Sequence, residues 1–202
     1  MRSVESKMTG RICENDRGWC FTPKSFFGLG SSQAIRITLH RLEKRGTIRR
    51  LAHGLYDYPK KHPSIGILSP DPNEIARALS VRDSTRIQPS GAYAANLLGL
   101  TEQVPAKIIF LTDGPERRVR IRSQEIILKR TTPRYMATAG KISGTVIQAL
   151  RHIGEANIAQ SGIKRLRKML KDKDRVQLKR DKRHAPAWMH HLIDSITGSA
   201  DA

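Results

Sequence analysis

The side chains best suited to chemistry are cationic, amide and hydroxyl groups gathered in one short stretch: Ser32, Gln33 and Arg36, then Arg41, Lys44 and Arg45, then Arg49, Arg50 and His53. An arginine forks two donors onto guanine, and a glutamine pairs one donor and one acceptor with adenine. Lysines and arginines farther along the same element neutralise phosphates without reading sequence. The spacing suits a helix laid in a DNA major groove. Ser32, Gln33 and Arg36 lie toward the base edges, and Arg41, Lys44 and Arg45 toward the backbone. Arg49, Arg50 and His53 fall on or beside an adjoining hairpin. For any one of these residues a solvated helix face is the alternative. The set gains weight because cap, apolar stripe, glycine stop and basic hairpin agree.

Other chemistries find little support. The sequence has no P-loop, GxSxG elbow or HExxH pair, so neither a catalyst nor a cofactor is expected. Cys13 and Cys20 stand without a second Cys or His pair nearby, which argues for free thiols rather than zinc. His190 and Asp194, four residues apart, read as a helix-surface pair.

Charge points to a polyanion. Lys and Arg number 37 against 18 Asp and Glu, a formal net charge of +19, which favours counterion release from a phosphate backbone. The excess is even along the chain: 12 basic and 5 acidic residues over 1–60, 13 and 7 over 61–150, and 12 and 6 over 151–202. Charge alone would also suit an anionic membrane surface. No stretch has the roughly 20 consecutive apolar residues of a membrane span, and MRSVESKMTGR lacks a signal-peptide core, so a cytoplasmic protein with no membrane partner is expected.

The elements that must hold the basic set follow from periodicity. Val4, Met8 and Ile12 form one helical face behind Ser3 as N-cap. Thr22 and Pro23 open a short second helix carrying Phe26 and Phe27. Ser31 and Ser32 cap a third, about Gln33 to Arg45, with Ile35, Leu39 and Leu42 on its buried stripe and Gly46 as its stop. Strands at Thr47–Leu51 and Leu55–Tyr58 flank a turn at Ala52, His53 and Gly54. This order of elements predicts a winged helix-turn-helix over residues 1–60.

Residues 59–72 read as a linker. A small mixed α+β domain is expected over 70–155, with helices at 71–79 and 91–98, strands near 85–88, 119–121 and 125–129, and a buried strand entering a turn over 107–114. Ile142, Val146, Ala149 and Ile153 mark a further helix. A basic helical tail is expected over 156–202, because 164–183 holds 11 basic and 3 acidic residues interrupted by Leu166, Met169, Leu170, Val176 and Leu178. The predicted class is therefore α+β: a winged helix-turn-helix, a small mixed domain and a basic helical extension.

The stretch GAYAANLLGLTEQVPAKIIFLTDGP (91–115), with RGWCFTPKSF upstream and GTIRRLAHGLYDYP at the hairpin, resembles the AbiEi-like antitoxins of bacterial type IV toxin-antitoxin systems. The resemblance spans about Arg17–Gly154. It implies an amino-terminal winged helix that binds inverted repeats of double-stranded DNA in its own promoter. It also implies a carboxy-terminal domain that counteracts a nucleotidyltransferase-like toxin. By position it carries over the recognition helix at Ser32, Gln33 and Arg36 and the wing at Arg49, Arg50 and His53. Tyr93, Asn96, Leu97 and Leu98, with Thr112 and Asp113, are candidates for a toxin-facing patch, against local packing and turn formation as the alternative.

The expected function is thus a DNA-binding autorepressor and antitoxin. A protein-interaction module that binds an acidic partner through its basic surface, without specific DNA binding, stands as the alternative. An RNA-binding factor or nucleic-acid enzyme would require catalytic carboxylates or a metal site that the sequence does not offer.

Overall fold

The computed structural model describes residues 3–198, a mixed α+β fold that divides into two compact units. The first covers Met1–Thr85 with Val119–Arg122, and the second covers Arg86–Arg118 with Ser123–Ala202.

In the first unit, helix α1 (Val4–Cys13) starts where the Ser3 hydroxyl accepts the Ser6 N–H at 3.1 Å, and it buries Met8 and Ile12. Strand β1 (Cys20–Phe21) leads to a single 3-10 turn, Pro23–Phe26. That turn replaces the short second helix expected from sequence. Gly28 has φ +85°, outside the helical region, so the segment stops after one turn with Phe26 buried and Phe27 exposed.

Helix α2 (Ser32–Lys44) begins with the Ser31 hydroxyl accepting the Ala34 N–H at 3.2 Å. It ends in a Schellman motif: Gly46, at φ +69°, donates to the Glu43 carbonyl at 2.9 Å and Thr47 donates to Leu42 at 3.0 Å. Between these caps, Ile35, Leu39 and Leu42 meet Met8, Ile12, Phe21, Phe26 and Ile48 in the unit's core. Strands β2 (Arg49–Ala52) and β3 (Leu55–Asp57) form an antiparallel hairpin, and β1 adds to its other edge in the order β1-β3-β2.

The stretch expected to be a linker is partly built. Strands β4 (Lys61–His62) and β5 (Gly66–Ile67) pair as a small antiparallel hairpin, too short to show a period in sequence. Helix α3 (Pro72–Asp83) follows, with Asp71 accepting the Asn73 N–H at 2.8 Å. It packs on β1 and the 3-10 turn through a face that includes Ile75 and Leu79. Its carboxyl end is closed by Lys24, whose ammonium donates to the Arg82 carbonyl at 3.1 Å and the Ser84 hydroxyl at 2.7 Å.

In the second unit, β6 (Ile87–Ser90), helix α4 (Gly91–Leu97), β7 (Lys107–Thr112) and β9 (Gln124–Arg130) supply a sheet with the strand order β6-β7-β9, and β8 (Arg117–Ile121) is the strand before β9 whose residues from Val119 onward are grouped with the first unit. β7 pairs antiparallel with β6 and parallel with β9. Helices α5 (Pro133–Met136) and α6 (Ile142–Ile153) follow, and residues 143–150 of α6 are all buried.

The basic segment expected as an extension forms α7 (Gln160–Met169), α8 (Asp172–Asp181) and α9 (His190–Thr197). Their Ile163, Leu166, Leu178, Ile193 and Ile196 share one apolar core with Leu98, Val146 and Leu150. Two buried polar nodes tie this core together. The Gln88 amide, oriented by its neighbours, donates to the Thr138 carbonyl at 3.1 Å and accepts the Thr145 N–H at 2.9 Å. The Asp181 carboxylate accepts from Ser143 at 2.6 Å and Gln177 at 2.8 Å, with the Lys141 ammonium at 3.4 Å.

Candidate nucleic-acid interface

Because α2 turns its apolar stripe inward, its polar face is presented in two adjacent rows. Ser32, Arg36 and His40 repeat every fourth residue, beside Gln33, Ile37, Arg41 and Lys44. All seven side chains are exposed. Arg36, Arg41 and Lys44 have no acidic partner among the described residues. His40 and Ile37 were not expected from sequence. Both follow Arg36 and precede the expected phosphate contacts Arg41 and Lys44, and an exposed isoleucine on that face can meet a thymine methyl.

The amino-terminal end of this face opens into a groove of 630 Å³. Ser32 and Arg36 line it from α2, Arg50, His53 and Tyr56 from the β2–β3 hairpin, and Lys24, Phe27 and Arg82 from the 3-10 turn region and α3. One Arg50 guanidinium nitrogen lies 3.3 Å from His53 Nδ1. Burial raises the Tyr56 phenol above its ordinary range, an effect that Arg50 opposes and Glu43 reinforces. Tyr56 therefore stays a neutral hydrogen-bonding group at ordinary pH. Phe27, 59% exposed, adds an aromatic edge to a rim of cations.

Two of the expected DNA-binding residues pair with acids of the first unit. Arg49 is only 24% exposed and forks onto Asp57, itself 1% exposed: Nε lies 3.1 Å from one carboxylate oxygen and a terminal nitrogen 2.5 Å from the other. The same terminal nitrogen donates to the Leu68 carbonyl at 3.1 Å. Arg49 is a strut of the first unit rather than a free cation of the β2–β3 hairpin. Arg45 pairs with Glu5 of α1. The structure thus brings together Ser32, Arg36, Arg50 and His53 at the groove and Gln33, Arg41 and Lys44 along the outer face of α2, while Arg49 braces the hairpin against Asp57 and the still exposed Arg45 pairs with Glu5.

The candidate partner-facing set does not assemble into a patch. Tyr93 is buried against Phe110, with ring centroids 5.4 Å apart, and Leu98 belongs to the core. Asn96 clamps the following loop by donating to the Thr101 and Gln103 carbonyls at 3.3 and 3.1 Å. The Thr112 hydroxyl donates to the Arg86 carbonyl at 2.9 Å and accepts the Gly114 N–H at 3.1 Å. Asp113 accepts from both the Arg86 guanidinium and its backbone N–H at 2.8 Å, and the guanidinium bond chiefly lowers its pKa. Leu97 alone of the apolar members faces solvent.

Cys13 is exposed and Cys20 buried, and both are free thiols. Burial, reinforced by nearby Asp57, pushes the Cys20 thiol far up, so it stays protonated. Asp194 pairs with Lys182 at 2.7 Å rather than with His190. No cluster of metal-ligating side chains occurs among the described residues, and none of their helices is long and apolar enough to cross a membrane.

One solved structure similar to the chain is the crystal structure of RV2827C protein from Mycobacterium tuberculosis, at 17% identity and a TM-score of 0.46, covering 98% of this chain and 79% of that one. No curated protein matches the sequence. The family described as a family of unknown function, DUF6088, matches residues 7–178, and the chain belongs to that family.

Proposed function

We propose that the first unit is a winged helix-turn-helix that binds double-stranded DNA, and that the protein is an autorepressor of its own promoter and an antitoxin against a nucleotidyltransferase-like toxin. The observation that carries the DNA-binding half is the outer face of α2. It is a polar surface interrupted by Ile37, whose Arg36, Arg41 and Lys44 lack acidic partners among the described residues, and it adjoins the Arg50–His53 end of a hairpin. Ser32, Gln33 and Arg36 read base edges, Arg41 and Lys44 hold phosphates, and Arg50 and His53 serve the wing. The antitoxin half rests on the likeness of residues 91–115 to AbiEi-like proteins.

The test of DNA binding is a gel shift at roughly 0.15 M salt, where nonspecific contacts weaken, comparing the upstream region with an unrelated duplex. Preferential retardation of the upstream region is expected, and equal retardation of both removes the repressor reading. Co-expression with a nucleotidyltransferase-like protein encoded beside the gene tests the other half. Restored growth is expected, and unrelieved toxicity rejects it.

A further inference from the structure

The β4–β5 hairpin exposes apolar side chains that the fold does not use. Ile65 at its tip is 71% exposed and Ile67 is 42% exposed. Yet the hairpin is built rather than slack. Lys61 pairs with Ile67 and His62 with Gly66, and the Ser64 N–H donates to His62 Nδ1 at 3.2 Å inside the turn. Gly66 supplies the left-handed residue at φ +73°. At the base, Leu68 donates to the Lys60 carbonyl at 2.9 Å, while its own carbonyl is held by Arg49. The Arg49–Asp57 pair therefore anchors the second hairpin onto the first.

The sequence flanking the tip is basic. No acidic residue occurs from Tyr58 to Pro70, and Lys60, Lys61 and His62 precede the tip on an exposed surface. Two isoleucines offer too little apolar area to anchor a bilayer, whose interfacial binders use a whole helix face. An apolar tip flanked by cations instead matches the way minor-groove proteins place a wedge at a base step while lysines meet the bordering phosphates.

We propose that the β4–β5 hairpin enters the minor groove of duplex DNA, with Ile65 wedged at a base step and Lys60 and Lys61 on the adjacent backbone. This rests on the proposed function only in taking the first unit as a DNA binder. It requires no operator sequence.

The experiment uses the full chain and an A·T-rich duplex carrying 2-aminopurine at TA steps, titrated at low salt, with an unlabelled copy to measure affinity. Binding by the wild type unstacks the probe, and its fluorescence rises. Ile65→Ala abolishes the rise while affinity falls by less than about tenfold, because most of the affinity is electrostatic. Ile65→Phe, which keeps an apolar wedge, retains the rise. Replacing Lys60 and Lys61 with Gln lowers the salt slope by roughly two.

Absence of a fluorescence rise with the wild type, or an equal rise with Ile65→Ala, overturns the inference. So does Ile65-dependent sedimentation with phosphatidylserine vesicles combined with Ile65-independent DNA binding. Probe unstacking through Ile65 without preference for the upstream region supports the hairpin and removes the repressor. Preference without an Ile65-dependent signal does the reverse.

Discussion

Helix α2 and the α7–α8 pair both carry basic sequences, and their arginines are used in different ways. On α2 the arginine and lysine heads are exposed, and four acids of the first unit are engaged by other arginines: Glu5 by Arg45, Asp57 by Arg49, Glu74 by Arg77 and Asp83 by Arg82. In α7 and α8 several arginines turn back onto the protein's own carbonyls. Arg165 donates to Leu98 at 3.3 Å, Arg167 donates to Ser195, and Arg175 donates to Leu170 at 3.2 Å and to Arg167 at 2.5 Å. A guanidinium used as a helix-end clamp has spent its directed donors internally. An even spread of net charge along a chain therefore does not mean an even capacity to hold phosphate. What matters is which cations remain without partners.

The largest effect that sharpens this contrast comes from Arg49. Arg49→Ala strands the buried Asp57 carboxylate, and removing one partner of such a pair costs about 3 kcal/mol. With Trp188 replaced by Phe, Trp19 reports on the first unit alone, and its urea midpoint is expected to fall accordingly. An unchanged midpoint, with weakening only of DNA affinity, would return Arg49 to the free cations of the wing.

Next in size is Asp181 of the second unit. Asp181→Ala leaves the buried Ser143 hydroxyl and the Gln177 amide without their acceptor, a destabilisation of about 2 kcal/mol. Burial alone would raise the Asp181 pKa, but hydrogen bonds from Ser143 and Gln177, with Lys141 nearby, outweigh it and hold the carboxyl below its ordinary value. A depressed folded-state pKa contributes stability above the unfolded value, about 3.9, and that stability is lost as the pH falls through the folded one. The wild type should therefore lose stability on acidification over that interval. Asp181→Ala should show a shallower acid limb in urea titrations at a series of pH values, and an identical limb would remove the carboxylate from this role.

The fate of Arg49 also marks where sequence stops being informative. The caps at Ser31 and Gly46 and the Ile35–Leu39–Leu42 stripe are local, and they locate α2 to within a residue or two. The role of Arg49 depends on register. A regular two-residue turn at His53–Gly54 would set Arg50 opposite Asp57, but the irregularity between Arg50 and Ala52 shifts the pairing and puts Arg49 there. A slip of one residue exchanges the buried and outward side chains of a strand, and composition holds no record of it.

The helices of 160–197 show the same limit. Leu166, Leu170 and Leu178 are buried and Met169 and Val176 exposed, although all five are equally visible as apolar residues. Their partners on α4 and α6 lie far away in sequence. The candidate patch around Tyr93 is likewise legible as residue types but not as neighbours in space, because its members answer to Phe110, Thr101 and Arg86.

Within the interface, Arg36→Ala and Gln33→Ala test base reading. Each is expected to reduce discrimination between the upstream duplex and a variant with one substituted base pair by about 1–3 kcal/mol, with thermal stability nearly unchanged because both side chains are exposed. Uniform weakening on all duplexes would make them backbone contacts instead.

The smallest effect separates α2 from α7 most cleanly. Arg41→Ala and Lys44→Ala remove exposed cations that touch no acid among the described residues, so stability should stay within about 0.5 kcal/mol. Each cation taken off a phosphate should lower the slope of log affinity against log salt by about 0.9, with sequence preference intact. Arg165→Ala instead removes a guanidinium that donates to the Leu98 carbonyl, and should change stability without changing that slope. If Arg165→Ala lowers the slope as far as Arg41→Ala does, α7 also lies against the phosphates and the division of labour between the two basic regions fails.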